Sequence, residues 1–200
     1  MPGPIGEVPE GYVVHRIADT YLVFDRALVA DLVPLRLADP VARERLFARA
    51  PVRGRSAAPS VPLTPALDMV LRRYRHGGLL GRATGSLFLG PGRALAELRV
   101  AARAESLGAP VPHVLCLVLW PVLGPFWSAL IGTREERGAR HLLDLARELE
   151  PAAARIALAR DVGQAVRRLH DAGVEHRDLQ LRNVLAVQGS AGAARHRAFR

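Results

Sequence analysis

Lysine is missing from this sequence. All 28 of its basic residues are arginine, set against 19 acidic ones for a formal charge of +9. A GC-rich coding bias explains the swap of one base for the other. The physical consequence stands regardless: guanidinium groups bind phosphate and carboxylate in a bidentate fork, which favours an anionic partner. Aromatic residues are scarce at 5 %, and the arginines are spread along the chain rather than gathered in a stripe, which argues against a nucleic-acid binder. Cys116, the one cysteine, lies inside an apolar run. A single thiol excludes an internal disulfide and suits a reducing compartment, with Cys116 a small core hydrophobe. Residues 1–7 hold neither a basic nor an apolar stretch, so no signal peptide is expected. What is present is a half-hydrophobic chain of 200 residues. That suffices for one sizeable core or for two small lobes sharing a cleft.

Strands are expected at residues 12–16 and 21–24. Asp39-Pro40 supplies an N-cap and a proline at the first helical position, so a short helix should cover 41–50. Residues 51–65, rich in Pro, Ser, Gly and Ala, predict a loop. Residues 66–74 predict a strand whose end turns basic, with Arg72, Arg73, Arg75 and His76, before Gly77-Gly78 breaks it. A helix over 93–107 carries Ala96, Leu98, Val100 and Ala101 at helical spacing and stops at Gly108, followed by an extended Pro110-Val111-Pro112. Two more helices are expected at 139–149 and 152–172. The second is amphipathic through Ile156, Ala159, Val162, Ala165, Val166 and Leu169, and Gly173 closes it.

Residues 111–132 are nearly uncharged and long enough to span a bilayer. His113, Pro121 and the turn signal Leu123-Gly124-Pro125 favour instead two buried antiparallel strands, at 114–120 and 126–131.

The residues that carry chemistry follow the long helix: His176-Arg177-Asp178-Leu179-Gln180-Leu181-Arg182-Asn183, then the apolar strand 184–187. A helix closed by glycine, a short loop with His-x-Asp-x₄-Asn and a strand is the layout of a kinase catalytic loop. The Asp must reach an acceptor hydroxyl, while the Asn five residues on turns back to offer magnesium a neutral oxygen. Asn183 is the only asparagine in the chain, and chance places this spacing in about two such chains per thousand. The alternative is a turn in which Asp178 caps a backbone and Asn183 is left-handed. His170 and His176 read as hydrogen-bonders that hold the loop.

With those residues in view, the chain resembles the lipopolysaccharide kinase family, in particular the branch acting on 3-deoxy-manno-octulosonic acid (Kdo). Three passages carry the likeness: Leu71-Arg72-Arg73-Tyr74-Arg75-His76-Gly77-Gly78-Leu79; Ala96-Glu97-Leu98 through Leu107-Gly108-Ala109-Pro110-Val111-Pro112; and the loop just described. The resemblance implies an α+β, protein-kinase-like fold: a nucleotide-binding lobe over 1–132 with an antiparallel sheet and one long helix, and a partial, mainly helical lobe over 133–200. It implies ATP and Mg²⁺ as cofactors and, as acceptor, a Kdo sugar on a lipid A precursor at the cytoplasmic side of the inner membrane. By position, Asp178 takes the place of the base and Asn183 that of a metal ligand. Arg72 stands for the strand lysine that touches the phosphates, with Arg73 as the competing choice, and Glu97 is its helix partner. Arg53-Gly54-Arg55-Ser56 is either the glycine turn that covers the phosphates, through Gly54, or a plain loop. Arg75, His76 and Arg82 are candidates for meeting the acceptor's anionic groups.

Two departures qualify the likeness. The family has a small residue where Arg177 stands and an Asn where Gln180 stands, and Arg177 makes the motif more like that of a protein kinase. No Asp follows Asp178, although a kinase holds its second magnesium with an Asp just beyond the catalytic loop. A truncated chain that binds nucleotide weakly and turns over little or nothing is therefore expected. The readings beside a Kdo kinase are another kinase-fold phosphotransferase, for a small molecule or a protein, and a noncatalytic remnant of one.

Overall fold

The apolar run in the middle of the sequence forms the two central strands of an antiparallel sheet, not a membrane helix. The computed structural model describes residues 5–48, 58–74, 87–175, 179–187 and 195–198. Among these no helix is long and apolar enough to cross a membrane. The chain divides into two compact units, one of Met1–Arg99 with Val114–Glu135 and one of Val100–His113 with Glu136–Arg200.

The first unit is built on strands β1 (Tyr12–Ile17), β2 (Thr20–Asp25), β3 (Ser60–Thr64), β4 (Leu67–Arg73), β5 (Phe88–Leu89), β6 (Val114–Leu123) and β7 (Phe126–Arg134). Their order is β1-β2-β6-β7-β4-β3, with β5 paired to the start of β7. Gly124 makes the β6–β7 turn with φ of +54°, a left-handed value that glycine adopts without strain. Residues 60–64 correct the expected loop. They are a strand, with Pro62 opposite Asp68 and a register shift beside it. Proline lacks a ladder donor and is tolerated at an edge or a bulge, and β3 is both.

One face of this sheet carries a core of Leu22, Phe24, Val61, Met69, Leu71, Cys116, Val118 and Leu130, closed by Leu32 and Leu37. Helices α1 (Val29–Leu32) and α2 (Pro40–Ala48) belong to that side. The Asp39 carboxylate accepts from Val41 N–H at 2.8 Å, so the N-cap read from sequence is in place. Arg43 is buried against Trp120, its guanidinium 4.2 Å from the ring centroid, and donates to the carbonyls of Leu37 and Ala38. The helix α3 (Gly92–Ser106) begins in this unit.

Cys116 is wholly buried, as expected, and burial pushes its thiol up to about 12 from 9.0. Burial likewise raises the Tyr74 phenol, helped by the neighbouring Glu97 carboxylate. Both groups hold their proton more tightly when folded, so they stabilise fully below the unfolded values and lose that contribution as pH rises. Unfolding free energy should therefore fall with pH from about 9 upward, and Cys116→Ala should flatten the first part of that decline. Urea midpoints measured across the alkaline range test this. In the native state Cys116 should resist thiol reagents and react only on unfolding.

The second unit holds the end of α3, helices α4 (Leu142–Glu148) and α5 (Ala152–Asp171), and a small antiparallel sheet of β8 (Arg140–His141), β9 (Val184–Val187) and β10 (Arg195–Ala198) in the order β10-β9-β8. The helix expected over 139–149 is shorter because Arg140 and His141 pair with Ala186 and Leu185 first. The apolar stripe of α5 is also shifted. Leu158, Ala165 and Leu169 are buried, while Ile156 is exposed and Ala159 with it. At about 100° per residue, Ile156 lies about 160° around the helix from Leu158. The expected stripe is in phase from Val162 onward only.

Candidate active site

Two local constructions bear on the residues singled out from sequence, one in each unit. In the first unit, Arg72 and Arg73 are neighbours on β4 and so leave opposite faces of the sheet. Arg73 emerges on the face of Met69 and Leu71. There its Nη2 bonds both oxygens of Glu44 at 2.7 and 2.6 Å, and its guanidinium covers the Phe47 ring at 4.3 Å. Arg73 is thus committed to α2. Arg72 emerges on the other face, half-buried, in register with Ile131 and, through it, Leu117. Tyr74 shares that face by the same alternation. It is buried, packs edge-on against Phe88 at 5.8 Å and stands beside Glu97 of α3. Glu97 is exposed, and its carboxylate pairs with Arg93 one turn earlier at 3.2 Å. Sheet alternation therefore separates the two arginines that sequence alone left as rivals. Tyr74 and Arg93 are neighbours of Glu97 that the sequence reading missed. The Arg93–Glu97 spacing of four was the available signal.

In the second unit the loop that carries Asp178 is held at both ends. Helix α5 stops in a Schellman motif: Gly173 N–H donates to the His170 carbonyl at 2.8 Å and Val174 N–H to that of Leu169 at 3.1 Å, with Gly173 at φ +74°. Helix α3 ends the same way, through Gly108 N–H to the Glu105 carbonyl and Ala109 N–H to that of Ala104. Such caps bring an apolar residue after the turn onto one before it. Here the two caps share one cluster of Ala104, Ala109, Val111, Leu169, Ala172 and Val174. Beyond the loop, residues Leu181–Asn183 form a 3₁₀ turn in which Asn183 N–H donates to the Gln180 carbonyl at 2.7 Å. Val184 then enters a second cluster with Leu142 and Leu158. Asn183 is half-buried and in the turn, not left-handed as the bland alternative required. His170 is exposed on the last turn of α5. Gly54, Arg75, His76, Arg82, His176, Arg177 and Asp178 lie outside the described residues.

Among the described residues no group of three or more His, Cys, Asp and Glu could hold a metal by itself. An amide oxygen on a short, pinned turn does match what magnesium accepts when phosphates and water complete its shell. Asn183 fits that role as one donor.

Residues 52–198 match the lipopolysaccharide kinase (Kdo/WaaP) family. The chain belongs to that family. The mixed fold, an antiparallel sheet with helices, agrees with the protein-kinase-like architecture of lipopolysaccharide kinases. Similar proteins include the 3-deoxy-D-manno-octulosonic acid kinase of Xanthomonas campestris pv. campestris (strain B100), 35 % identical over 128 residues, 62 % of this chain and 49 % of the relative. The enzyme of that name from Actinobacillus succinogenes is 31 % identical over 126 residues, 61 % of this chain and 51 % of its own. The one from Haemophilus influenzae (strain PittEE) is 29 % identical over 131 residues, 63 % and 53 % respectively. The chain thus spans about half the length of the curated relatives it matches. The family match runs from β3 through β10 and covers both constructions apart from Glu44 and Phe47 of α2.

Proposed function

We propose that this protein takes part in ATP-dependent phosphorylation of a Kdo sugar on a lipid A precursor, with Asp178 accepting the proton of the sugar hydroxyl. The observation that carries the reading is the family match across the His-x-Asp-x₄-Asn loop, whose flanks are anchored by a capped helix and by β9. In this reading residues 1–132 act as the nucleotide lobe and 133–200 as part of the lobe that carries the loop.

The residues divide the work as follows. Arg72 contacts the nucleotide's phosphates with a planar fork in place of the usual ammonium, and Glu97 exchanges Arg93 for Arg72 as its partner. Gly54 belongs to the turn over the phosphates. Asn183 gives magnesium an oxygen ligand, and the ion, when bound, neutralises charge on the transferring phosphoryl group. An acceptor anchored in lipid places the protein at the cytoplasmic face of the inner membrane, in peripheral contact.

Transfer of label from ATP to Kdo-bearing lipid A, run beside a peptide panel, tests the reading. Label on the sugar at a low level is expected, in keeping with the low turnover anticipated for this chain. Label on peptides alone would favour a protein kinase, the reading that Arg177 supports, and label on neither would end the proposal.

The arginine assignment has its own test. Arg72→Met should lower turnover about 10²-fold or more, as loss of a preorganised cationic donor does. Arg73→Met should cost about 1 kcal/mol of stability, the sum of an exposed ion pair and a cation–π contact, and leave ATP kinetics alone. The reverse pattern would exchange the two assignments.

A further inference from the structure

The β1–β2 and β6–β7 turns lie at the same end of the first unit's sheet, because β2 runs antiparallel to β6 with Tyr21 opposite Leu119 and Phe24 opposite Cys116. β5 joins that end, with Leu89 opposite Phe126 and Phe88 opposite Trp127, and Gly90 N–H donates to the Pro125 carbonyl at 3.0 Å. Ile17, Leu89, Val122, Leu123 and Phe126 are all exposed there, Leu89 at 75 % and Leu123 at 76 %. Residues 121–128 carry no charge. Scattered exposed leucines are ordinary, but five large apolar side chains gathered on adjoining turns mark a contact surface.

Behind the tips comes a row of aromatic rings with cations. Tyr21 and Trp127 are 5.9 Å apart, the Arg16 guanidinium sits 5.4 Å from the Tyr21 ring, and that of Arg93 lies 5.6 Å from Phe88. Each of these arginines has an acidic neighbour, Asp19 at 3.6 Å and Glu97 at 3.2 Å. The immediate surroundings are therefore close to neutral, and the cationic excess belongs to the chain as a whole, at +9.

We infer that this end of the sheet docks on an anionic phospholipid bilayer, its apolar tips entering the interfacial layer. Three features select lipid over a protein partner. The apolar residues sit on protruding turns rather than on a flat face or in a groove. Tyr and Trp stand one layer behind them, where amphipathic rings suit the headgroup level. The chain's net charge complements a negative leaflet, and neither burial of apolar side chains nor charge alone holds a protein firmly at a membrane. The inference does not depend on phosphate transfer and is tested without ATP.

Sedimentation of the full chain with vesicles of phosphatidylcholine plus phosphatidylglycerol, and of phosphatidylcholine alone, reads the partitioning. The expected result is binding that is stronger on the anionic vesicles and falls about tenfold or more in Leu89→Ser/Leu123→Ser. In Trp120→Phe, which leaves Trp127 as the sole reporter, vesicles should shift the emission to the blue. Because Leu89 and Leu123 are three-quarters exposed, the double variant should keep its circular dichroism and melting point. Failure of the parent chain to bind vesicles, or binding unchanged in the double variant, overturns the inference. So does concentration-dependent self-association lost in that variant without vesicle binding, which would assign the surface to a second copy of the chain.

Discussion

Asp178→Asn is expected to lower the rate of phosphate transfer to the sugar by about 10²–10⁴-fold, the range associated with a positioned general base. The substitution keeps the shape and reach of the side chain while removing its negative charge and its capacity to take a proton. The Michaelis constant for ATP and the melting temperature should therefore stay near those of the parent. That combination separates a chemical role from a structural one. Were Asp178 only a cap on the loop backbone, asparagine would serve nearly as well and the rate would hold. Asn183→Ala supplies the complementary measurement: a ligand lost from magnesium should appear as a raised magnesium requirement, which a proton-transfer defect does not produce. Unchanged transfer in Asp178→Asn would remove the base assignment whatever the acceptor proves to be.

Gly132→Ala is the largest stability effect expected from a single small change. Gly132 lies on β7 between Cys116 of β6 and Leu71 of β4 in register. A Cβ built there would meet Met69 Sδ and would fall 2.6 Å from Cys116 Sγ. The two sulfurs already touch at 3.6 Å in a core whose other members are almost wholly buried. An added methyl must displace them or push β7 from its neighbours, and overpacking of that kind costs about 1–3 kcal/mol. In a chain of this size each kcal/mol lowers the melting temperature by about 2–4 °C. Met69→Ala in the same chain should recover part of the loss, since it empties the space the methyl needs, and the two changes should be strongly non-additive. A melting temperature unchanged by Gly132→Ala would mean that the sheet's interior yields far more easily than its packing indicates.

Legibility varied with the range of the interactions involved. Elements set by local rules could be read from the residues: the Asp39 N-cap, the glycine stops at Gly108 and Gly173, and the hairpin about Gly124. Each depends on backbone geometry within a few positions, so composition and spacing suffice. The edge strand at Ser60–Thr64 was hidden because its proline and small residues look like loop, and only pairing with β4 makes them a strand. The phase of α5 departs from the spacing at its start because an exposed isoleucine and alanine extend the apolar pattern without being buried. In the small sheet, Arg140 and His141 pair with β9 although their neighbours are good helix formers.

The chemistry divides in the same way. The His-x-Asp-x₄-Asn spacing is a property of one short segment, and the sequence by itself determined it, together with the chain's reliance on arginine wherever a cation is needed. The choice between Arg72 and Arg73 was not available there, since adjacent residues of like charge look equivalent in one dimension. Tertiary structure sets the two apart by placing α2 with Glu44 and Phe47 on one face of β4 and Tyr74 with Glu97 on the other. The physical reason is that a strand sends successive side chains to opposite sides, and only the packed sheet says what waits on each.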